Sequence, residues 1–214
     1  MRLGELLFER GERKEGERHL RQGIINAPEN IQMFYRFCIE FLRGNWRETI
    51  RLYETLHEPL KQSHEALIIM AQALINEKET GRAAGFLKKA LIGISDQYLE
   101  AELHYAQALI HWLRGENGKQ RDELLKADML ARGTGNASLS KAWLLLLDER
   151  LDEAERSARR ALWKRPFFAE ANWLLGIIHE KRGNSRIARR FHKRAHRLFP
   201  ENTRYRESLS ESLP

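Results

Sequence analysis

The stretch that decides the fold runs from Ala169 to Pro200 and reads AEANWLLGIIHEKRGNSRIARRFHKRAHRLFP. Its small residues Gly176, Ala188 and Ala195 are separated by steps of 12 and then 7, and apolar residues surround them at helical spacing. The tripeptide Arg-Gly-Asn at 182–184 is a turn signal between the two halves. Because close helix crossings need small side chains, this pattern predicts two antiparallel helices joined in a hairpin.

The same spacing recurs along the chain. Three further segments keep the two steps with Gly or Ala, and one keeps them with larger residues. These segments are Gly4, Gly16 and Gly23; Ala71, Ala83 and Ala90; Ala142, Ala154 and Ala161; and, with larger side chains, Phe37, Thr49 and Leu56. No segment alternates apolar and polar residues over a useful length, so strands are not supported. The sequence therefore predicts an all-α array of helical hairpins.

The 169–200 stretch also resembles the tetratricopeptide repeat family. The matching positions are Leu175, Gly176, Gly183, Ala188, Ala195 and Pro200, which stand where that family places Leu, Gly, Gly, Ala, Ala and Pro. The resemblance covers nearly the whole chain. It implies a right-handed α-solenoid of about six tetratricopeptide-like hairpins, with the first helix of each hairpin lining the concave side. Asn172, His179 and His192 depart from the pattern, since the family usually has large aromatic residues there.

The spacing of the small residues predicts a repeat domain at residues 1–202, and the tail at 203–214 is predicted to form a capping helix. The repeat units are 1–29, 30–63, 64–98, 99–134, 135–168 and 169–202. The 99–134 unit carries about two extra residues, which we place around 115–118. Met1 falls where the fifth residue of a unit would stand, a position that a chain cut from a longer protein would also show. Tyr205, Leu209 and Leu213 lie one turn apart, as a cap over the last hairpin requires.

Composition is typical of a helical globular protein. Of the 214 residues, 42% are apolar and 31% are charged, and the chain has only 5 Pro and 1 Cys. These values exclude a disordered chain, a collagen and a disulfide scaffold. The longest apolar stretches fall far short of a bilayer span, and the first twenty residues lack the apolar stretch of a secretion signal. The sequence as given predicts a cytoplasmic protein, and an anchor or signal upstream would overturn that prediction.

Function depends on the side chains that the first helices present. The resemblance implies groove-lining positions at which we expect a partner peptide or helical segment to bind. The candidates for apolar contact are Phe34, Tyr35, Ile68, Leu103, Trp143 and Trp173, and those that would orient a peptide backbone are Gln72, Asn76, His104, Gln107 and His111. The alternative is that Phe34, Ile68, Leu103 and Trp173 pack between neighbouring units while Gln72 and Gln107 are solvated.

Net charge is concentrated at the C-terminal end. Residues 150–214 carry 16 Lys and Arg against 8 Asp and Glu, whereas the preceding residues carry 21 and 22. Arg186, Arg190, Lys193 and Arg197 share one helix face at three- and four-residue steps. This basic patch predicts an alternative activity, the binding of RNA or of an anionic surface, which is an acidic protein or a membrane. Such a run of charge is also typical of a merely solvated face.

Metal binding and catalysis are not predicted. His192 and His196 are four residues apart and could reach one ion, but no third ligand is evident. Cys38 has no neighbour that would activate it as a nucleophile, and no phosphate-binding loop is present in the sequence. We expect a scaffold without cofactor, metal ion or enzymatic activity, whose partner is a protein or peptide, as part of a multiprotein complex.

Overall fold

The computed structural model describes residues 12–211, and within them thirteen helices and no strand. Gly4 and Leu213, which the repeat and the capping predictions invoke, lie outside this range. The helices are α1 Arg13–Gln22, α2 Glu29–Leu42, α3 Trp46–Thr55, α4 Glu58–Lys61, α5 His64–Asn76, α6 Thr80–Ala90, α7 Gln97–Leu113, α8 Asn117–Leu130, α9 Gly135–Leu147, α10 Leu151–Lys164, α11 Ala169–Lys181, α12 Ser185–Leu198 and α13 Thr203–Glu211.

The helices form antiparallel hairpins within two compact units, residues 1–90 and 91–214. In the first unit, α2 packs on α3 and α5 on α6, and α3 also packs on α5. In the second unit, the hairpins are α7–α8, α9–α10 and α11–α12, each in contact with the next, and α13 packs against α12. We call α2, α5, α7, α9 and α11 first helices, and α3, α6, α8, α10 and α12 second helices. Within the described residues, no helix is both long and apolar enough to cross a bilayer.

Every first helix ends in the same way. The residue after its C-cap has a positive φ, and the next residue donates its backbone N–H to a carbonyl five residues earlier. This is the Schellman motif, which satisfies carbonyls that the helix end leaves without partners. The left-handed residues are Gly44, Lys78, Gly115, Glu149 and Gly183.

The spacing of these turns corrects one prediction. The intervals between successive left-handed residues are 34 residues, apart from the interval between Lys78 and Gly115, which is 37. The turn at Gly115 therefore has the ordinary form, and the extra residues are not at 115–118. They precede it, in the segment after Ala90 and in α7, whose 17 residues make it the longest first helix.

The small residues of the 12-and-7 spacing lie where the hairpin helices cross. Ala142, Ala154 and Ala161 have no exposed surface, and neither do Ala188 and Ala195. Ala142, Ala154, Ala161 and Ala195 belong, with leucines and aromatic residues of the first helices, to one hydrophobic core in the second unit that extends to Tyr205. Helix α13 thus covers the apolar end of the last hairpin, since Tyr205 is itself buried.

Candidate interaction surface

An aromatic cluster connects the first helices of the second unit. Trp143 lies 5.8 Å from Trp112 and 5.8 Å from Trp173, measured between ring centroids, and Trp112 meets Trp173 edge-on at 5.2 Å. Tyr205 of α13 continues the cluster at 6.0 Å from Trp173. Each successive helix contributes one ring, so the cluster stabilises the stacking of α7, α9, α11 and α13.

Burial of the cluster changes the role predicted for two of its members. Trp143 is 2% exposed and Trp173 is 1% exposed, and Leu103 of the predicted apolar set is also 1% exposed. These side chains pack between helices and present no surface to a bound peptide. The alternative interpretation held this for Leu103 and Trp173, but not for Trp143. Trp112 is only partly buried and was missed. The spacing of Tyr105 and Trp112 on one face of α7 is the signal that could have identified it.

A buried carboxylate connects α11 to α7 and α13. Arg204 donates to Glu170 at 2.8 Å, Tyr105 donates to Glu170 at 3.2 Å, and Tyr205 donates to its other oxygen. Trp143 in turn donates its indole N–H to the Tyr105 hydroxyl at 3.0 Å. Burial raises the pKa of both tyrosine hydroxyls well above their usual range, and the charge of Glu170 adds to this shift. Burial opposes the charge of Arg204, but the attraction of Glu170 outweighs it and raises the pKa of the guanidinium.

The partners in this network are one repeat apart in the sequence. The sequence analysis did not predict the network from this spacing. Glu170 and Arg204 are separated by one 34-residue repeat, so they occupy equivalent positions in α11 and α13. One repeat before Glu170 stands Asn136, which donates to Glu102, a further 34 residues upstream, at 3.0 Å. A column of polar side chains thus links equivalent positions, and complementary groups one repeat apart are the sequence signal for it.

The two predicted histidines of α7 are held by carboxylates of the same hairpin. His104 Nδ1 lies 2.5 Å from Glu123, and His111 Nδ1 lies 2.6 Å from Glu116. Burial works against the charge of Glu123, yet the hydrogen bond from His104 leaves its pKa lowered. The same kind of bond from His111 lowers the pKa of Glu116. These Nδ1 atoms are therefore engaged in the hairpin and not directed to a peptide backbone.

In the first unit too, some of the predicted residues are buried and others are exposed. Phe34 is buried against Phe37, and Asn76 is buried with its amide donating to the backbone carbonyl of Gln72 at 2.9 Å. Tyr35 and Ile68 are half-buried, and Gln72 is exposed. Among the predicted residues of this unit, Tyr35, Ile68 and Gln72 are therefore the ones that keep exposed surface.

In the second unit, the exposed part of the predicted set lies on α7. Gln107 and His111 are one turn apart and half-buried, and Trp112 follows them. Gln107 makes no side-chain hydrogen bond with any residue between 12 and 211. We define the α7 surface as Gln107, His111 and Trp112. It combines a side-chain amide that makes no hydrogen bond within residues 12–211 with a partly exposed indole ring.

The basic patch lies on α12. Arg186, Arg190, Lys193 and Arg197 are all exposed, and none of them forms an ion pair within the described part of the chain. The two histidines considered as metal ligands, His192 and His196, differ in burial, since His196 is only partly buried. His192 is wholly buried and its Nε2 lies 2.9 Å from Glu180 of α11. Among residues 12–211, no group of three His, Cys, Asp or Glu side chains is arranged to hold a metal ion.

Comparison with known proteins gives matches in structure only. No family model and no curated protein matches this sequence. PilF of Pseudomonas aeruginosa matches with a TM-score of 0.59 at 15% identity, covering 98% of this chain and 95% of that chain. YrrB, described as a TPR protein with an unusual peptide-binding site, covers 91% of this chain and 98% of its own at a TM-score of 0.48 and 16% identity. MamA covers 83% and 96% at a TM-score of 0.48 and 18% identity.

These neighbours are tetratricopeptide-repeat proteins. The likeness to PilF spans nearly the whole of both chains and concerns the fold. The predicted all-α fold of tetratricopeptide-like hairpins is therefore confirmed.

Proposed function

We propose that this chain, which has the fold of tetratricopeptide-repeat proteins, is a protein-interaction scaffold that binds a peptide or helical segment of a partner protein on its first helices. In the second unit the contact falls on the α7 surface. Stacked hairpins hold such a surface preformed, so a partner is bound without a large ordering cost in the scaffold. The activity is binding, and it requires no cofactor or metal.

The observation that supports this proposal is the state of Gln107. Its neighbours on the first helices are buried or held by carboxylates, whereas its amide is half-exposed and without a protein partner. A side-chain amide can donate to and accept from a peptide backbone at once. Trp112 follows His111 on the same helix with its ring partly exposed, and it supplies the kind of aromatic contact that dominates peptide binding.

The test begins with capture of a partner at a defined position. A photo-reactive phenylalanine analogue replaces Gln107 in one variant and Gln97 in another, because both residues are on α7 but Gln97 lies at its exposed N-terminal end. Irradiation in the native lysate should cross-link a protein through Gln107 and not through Gln97. Mass spectrometry of the adduct then gives the partner segment.

The segment is next synthesised and its dissociation constant is measured by calorimetry. Gln107→Ala should weaken binding by about tenfold, which is the loss expected for one or two hydrogen bonds to a buried peptide. Gln97→Ala is the matched control and should leave the constant unchanged. Equal cross-linking from both positions, or an affinity insensitive to Gln107→Ala, would show that the α7 surface is not the binding site.

A further inference from the structure

The second helices of the second unit carry exposed side chains at equivalent positions. Met129 of α8, Trp163 of α10 and Arg197 of α12 are separated by 34 residues, one repeat, and all three are exposed. A second row, again at 34-residue intervals and exposed, consists of Leu125, Arg159 and Lys193. Along both rows the exposed side chains change from apolar on α8 to basic on α12.

Helix α12 presents an unusually uniform charge. Its 14 residues contain six Arg and Lys and no Asp or Glu. All six are exposed, namely Arg186, Arg189, Arg190, Lys193, Arg194 and Arg197. None of them is in an ion pair within residues 12–211. Several other basic side chains of the unit are paired, as Arg182 is with Asp152 at 2.6 Å.

Contacts join the second helices at both ends of these rows. Arg159 of α10 and Arg194 of α12 each lie 5.6 Å from the centre of the Phe191 ring. At the other end, Lys164 of α10 donates to the carbonyl of Gly133, in the turn after α8, at 2.5 Å. These contacts place α10 beside α12 and beside the turn after α8, and we call the exposed sides of α8, α10 and α12 the second-helix surface.

The apolar members of this surface are largely exposed to solvent. Trp163 is 82% exposed, and Met129 is 63% exposed one repeat before it. Arg160 and Arg156 precede Trp163 by three and seven residues and so lie on the same side of α10. An indole flanked by arginines is the arrangement that sits at a membrane interface, with the ring among the headgroups and the cations at the phosphates.

We propose that the second-helix surface docks on an anionic phospholipid bilayer, with the cations of α12 and α10 on the lipid phosphates and with Trp163 and Met129 inserted at the interface. Attraction of basic side chains to anionic lipid supplies binding, and the inserted apolar groups orient the protein. The inference goes beyond the binding of a partner protein, because it concerns second helices and is independent of the α7 surface.

The apolar side chains decide in favour of a bilayer over a nucleic acid. Both would attract the cations, and an indole could stack on a base. Leu125 and Met129, however, offer nothing to a phosphate backbone or to a base edge, whereas each gains free energy on entering the interface.

Vesicle flotation tests the proposal with the full chain. The protein should float with vesicles of phosphatidylcholine and phosphatidylglycerol and not with phosphatidylcholine alone, and moderate salt should weaken binding. Arg190→Glu with Lys193→Glu should lower the partition coefficient at least tenfold. Lys88→Glu with Lys89→Glu, on exposed positions of α6, changes the net charge equally and is the control that should keep binding. Circular dichroism checks that both variants are folded.

Tryptophan fluorescence gives a second readout that is specific to insertion. Among the five tryptophans, Trp163 is the one that is largely exposed, so its emission should shift to the blue on vesicles and be quenched by brominated lipid. Trp163→Ala should abolish both effects and weaken flotation severalfold. Vesicle binding that is unaffected by the α12 charge reversal, absence of quenching by brominated lipid, or binding of single-stranded RNA without binding of vesicles would each overturn the proposal.

Discussion

Gly176 of α11 shows how strictly one residue can be determined by its neighbour. A Cβ atom built on it would lie 2.5 Å from Nδ1 and 2.6 Å from Nε2 of His192, whose ring is completely buried. Because a buried ring can move away only by displacing the side chains packed around it, Gly176→Ala should lower the free energy of unfolding by about 1–3 kcal/mol. Urea denaturation followed by circular dichroism measures this change.

Gly85 of α6 is the matched control, since a Cβ atom there would have no heavy atom within 4 Å. Gly85→Ala should instead raise the free energy of unfolding by about 0.5–1 kcal/mol, through helix propensity and the entropy of the unfolded chain. If Gly176→Ala were as stabilising as Gly85→Ala, the close approach of His192 to α11 would be wrong.

His179 should make the second unit sensitive to acid. Its ring is buried and stacks on Phe191, with Glu155, Arg182 and Arg159 as the charges that face it. Burial lowers the pKa of its imidazole, and the attraction of Glu155 opposes this only in part. In the unfolded chain the imidazole keeps its ordinary pKa and binds a proton first. The stabilisation is therefore present above about pH 6.5 and is lost as the pH falls below that value.

The variant His179→Phe isolates this contribution. It keeps the stacked ring and removes two buried nitrogens that have no hydrogen-bond partner, so it should raise the free energy of unfolding by about 1 kcal/mol. Its melting temperature should also fall less than that of the wild type when the pH is lowered from about 7.5 to about 5.5. A parallel pH dependence of the two proteins would assign the acid sensitivity to other groups.

The contrast between Gly176 and Trp143 shows how far the sequence determines single residues. The small-residue spacing predicted where helices cross, because a close crossing excludes larger side chains whatever surrounds it. The exposure of Trp143 depends on whether other rings cover it, and Trp112 and Trp173 come from different helices. Periodicity identifies the face of a helix, but the depth of burial on that face is set by tertiary packing, which a single sequence does not show.

At the scale of the helix, the five turns between paired helices share one backbone motif but differ in the residue at its left-handed position. The left-handed position is Gly in three hairpins but Lys78 and Glu149 in the others. A side chain other than glycine costs about 1 kcal/mol or more in this conformation. Glu149→Gly should therefore raise the free energy of unfolding by roughly 1 kcal/mol, as measured by thermal and urea unfolding.

The reverse substitution at the equivalent turn completes this test. A Cβ atom on Gly183 would meet no heavy atom within 4 Å, so Gly183→Ala changes the backbone preference and no contact. Gly183→Ala should lower the free energy of unfolding by about as much as Glu149→Gly raises it. Opposite signs in the two variants would support the motif, whereas destabilisation in both would show that Glu149 stabilises its turn in another way.

Helix α13 is attached to the last hairpin by the pair of Glu170 and Arg204, each about a tenth exposed. Glu170→Ala leaves the guanidinium buried without its counter-charge and should cost about 3–5 kcal/mol. Replacing both residues with Leu should cost much less, since no uncompensated charge remains.

The exposed pair of Arg150 and Glu153 is the reference for this experiment, and Glu153→Ala should change stability by no more than about 0.5 kcal/mol. A Glu170→Ala variant as stable as Glu153→Ala would contradict a buried ion pair. The helix itself was predicted from the spacing of Tyr205 and Leu209, but the buried pair was not, because a carboxylate and a guanidinium at the surface would give the same sequence pattern.

At the scale of the whole molecule, the repeat determined the fold class but not the division into two compact units. The same steps of 12 and 7 occur before Ala90 and after it, so small-residue spacing alone does not mark the boundary. The interval of 37 residues between Lys78 and Gly115 is the local irregularity that contains it. Neighbour-to-neighbour packing makes such a boundary possible, since each hairpin needs only the adjacent one.

The two faces of the second unit should act independently. The α7 surface belongs to a first helix and the charges of α12 to a second helix, and Gln107 and Arg190 share no hydrogen-bond or ion-pair partner among the described residues. Free-energy effects of substitutions at sites without common partners usually add within about 0.5 kcal/mol. Gln107→Ala should therefore impair capture of the partner segment and leave vesicle binding intact, and Arg190→Glu with Lys193→Glu should do the opposite.

A cycle of these variants measures the coupling between the faces directly. The affinity for the cross-linked segment is determined in the presence and absence of anionic vesicles, for the wild type and for each variant. Additive effects would describe a scaffold that holds a partner on its first helices while its second helices lie on a membrane. A partner affinity that changes more than about threefold on vesicle binding exceeds what additivity allows, and would mean that lipid and partner compete for one surface or alter the packing of the hairpins.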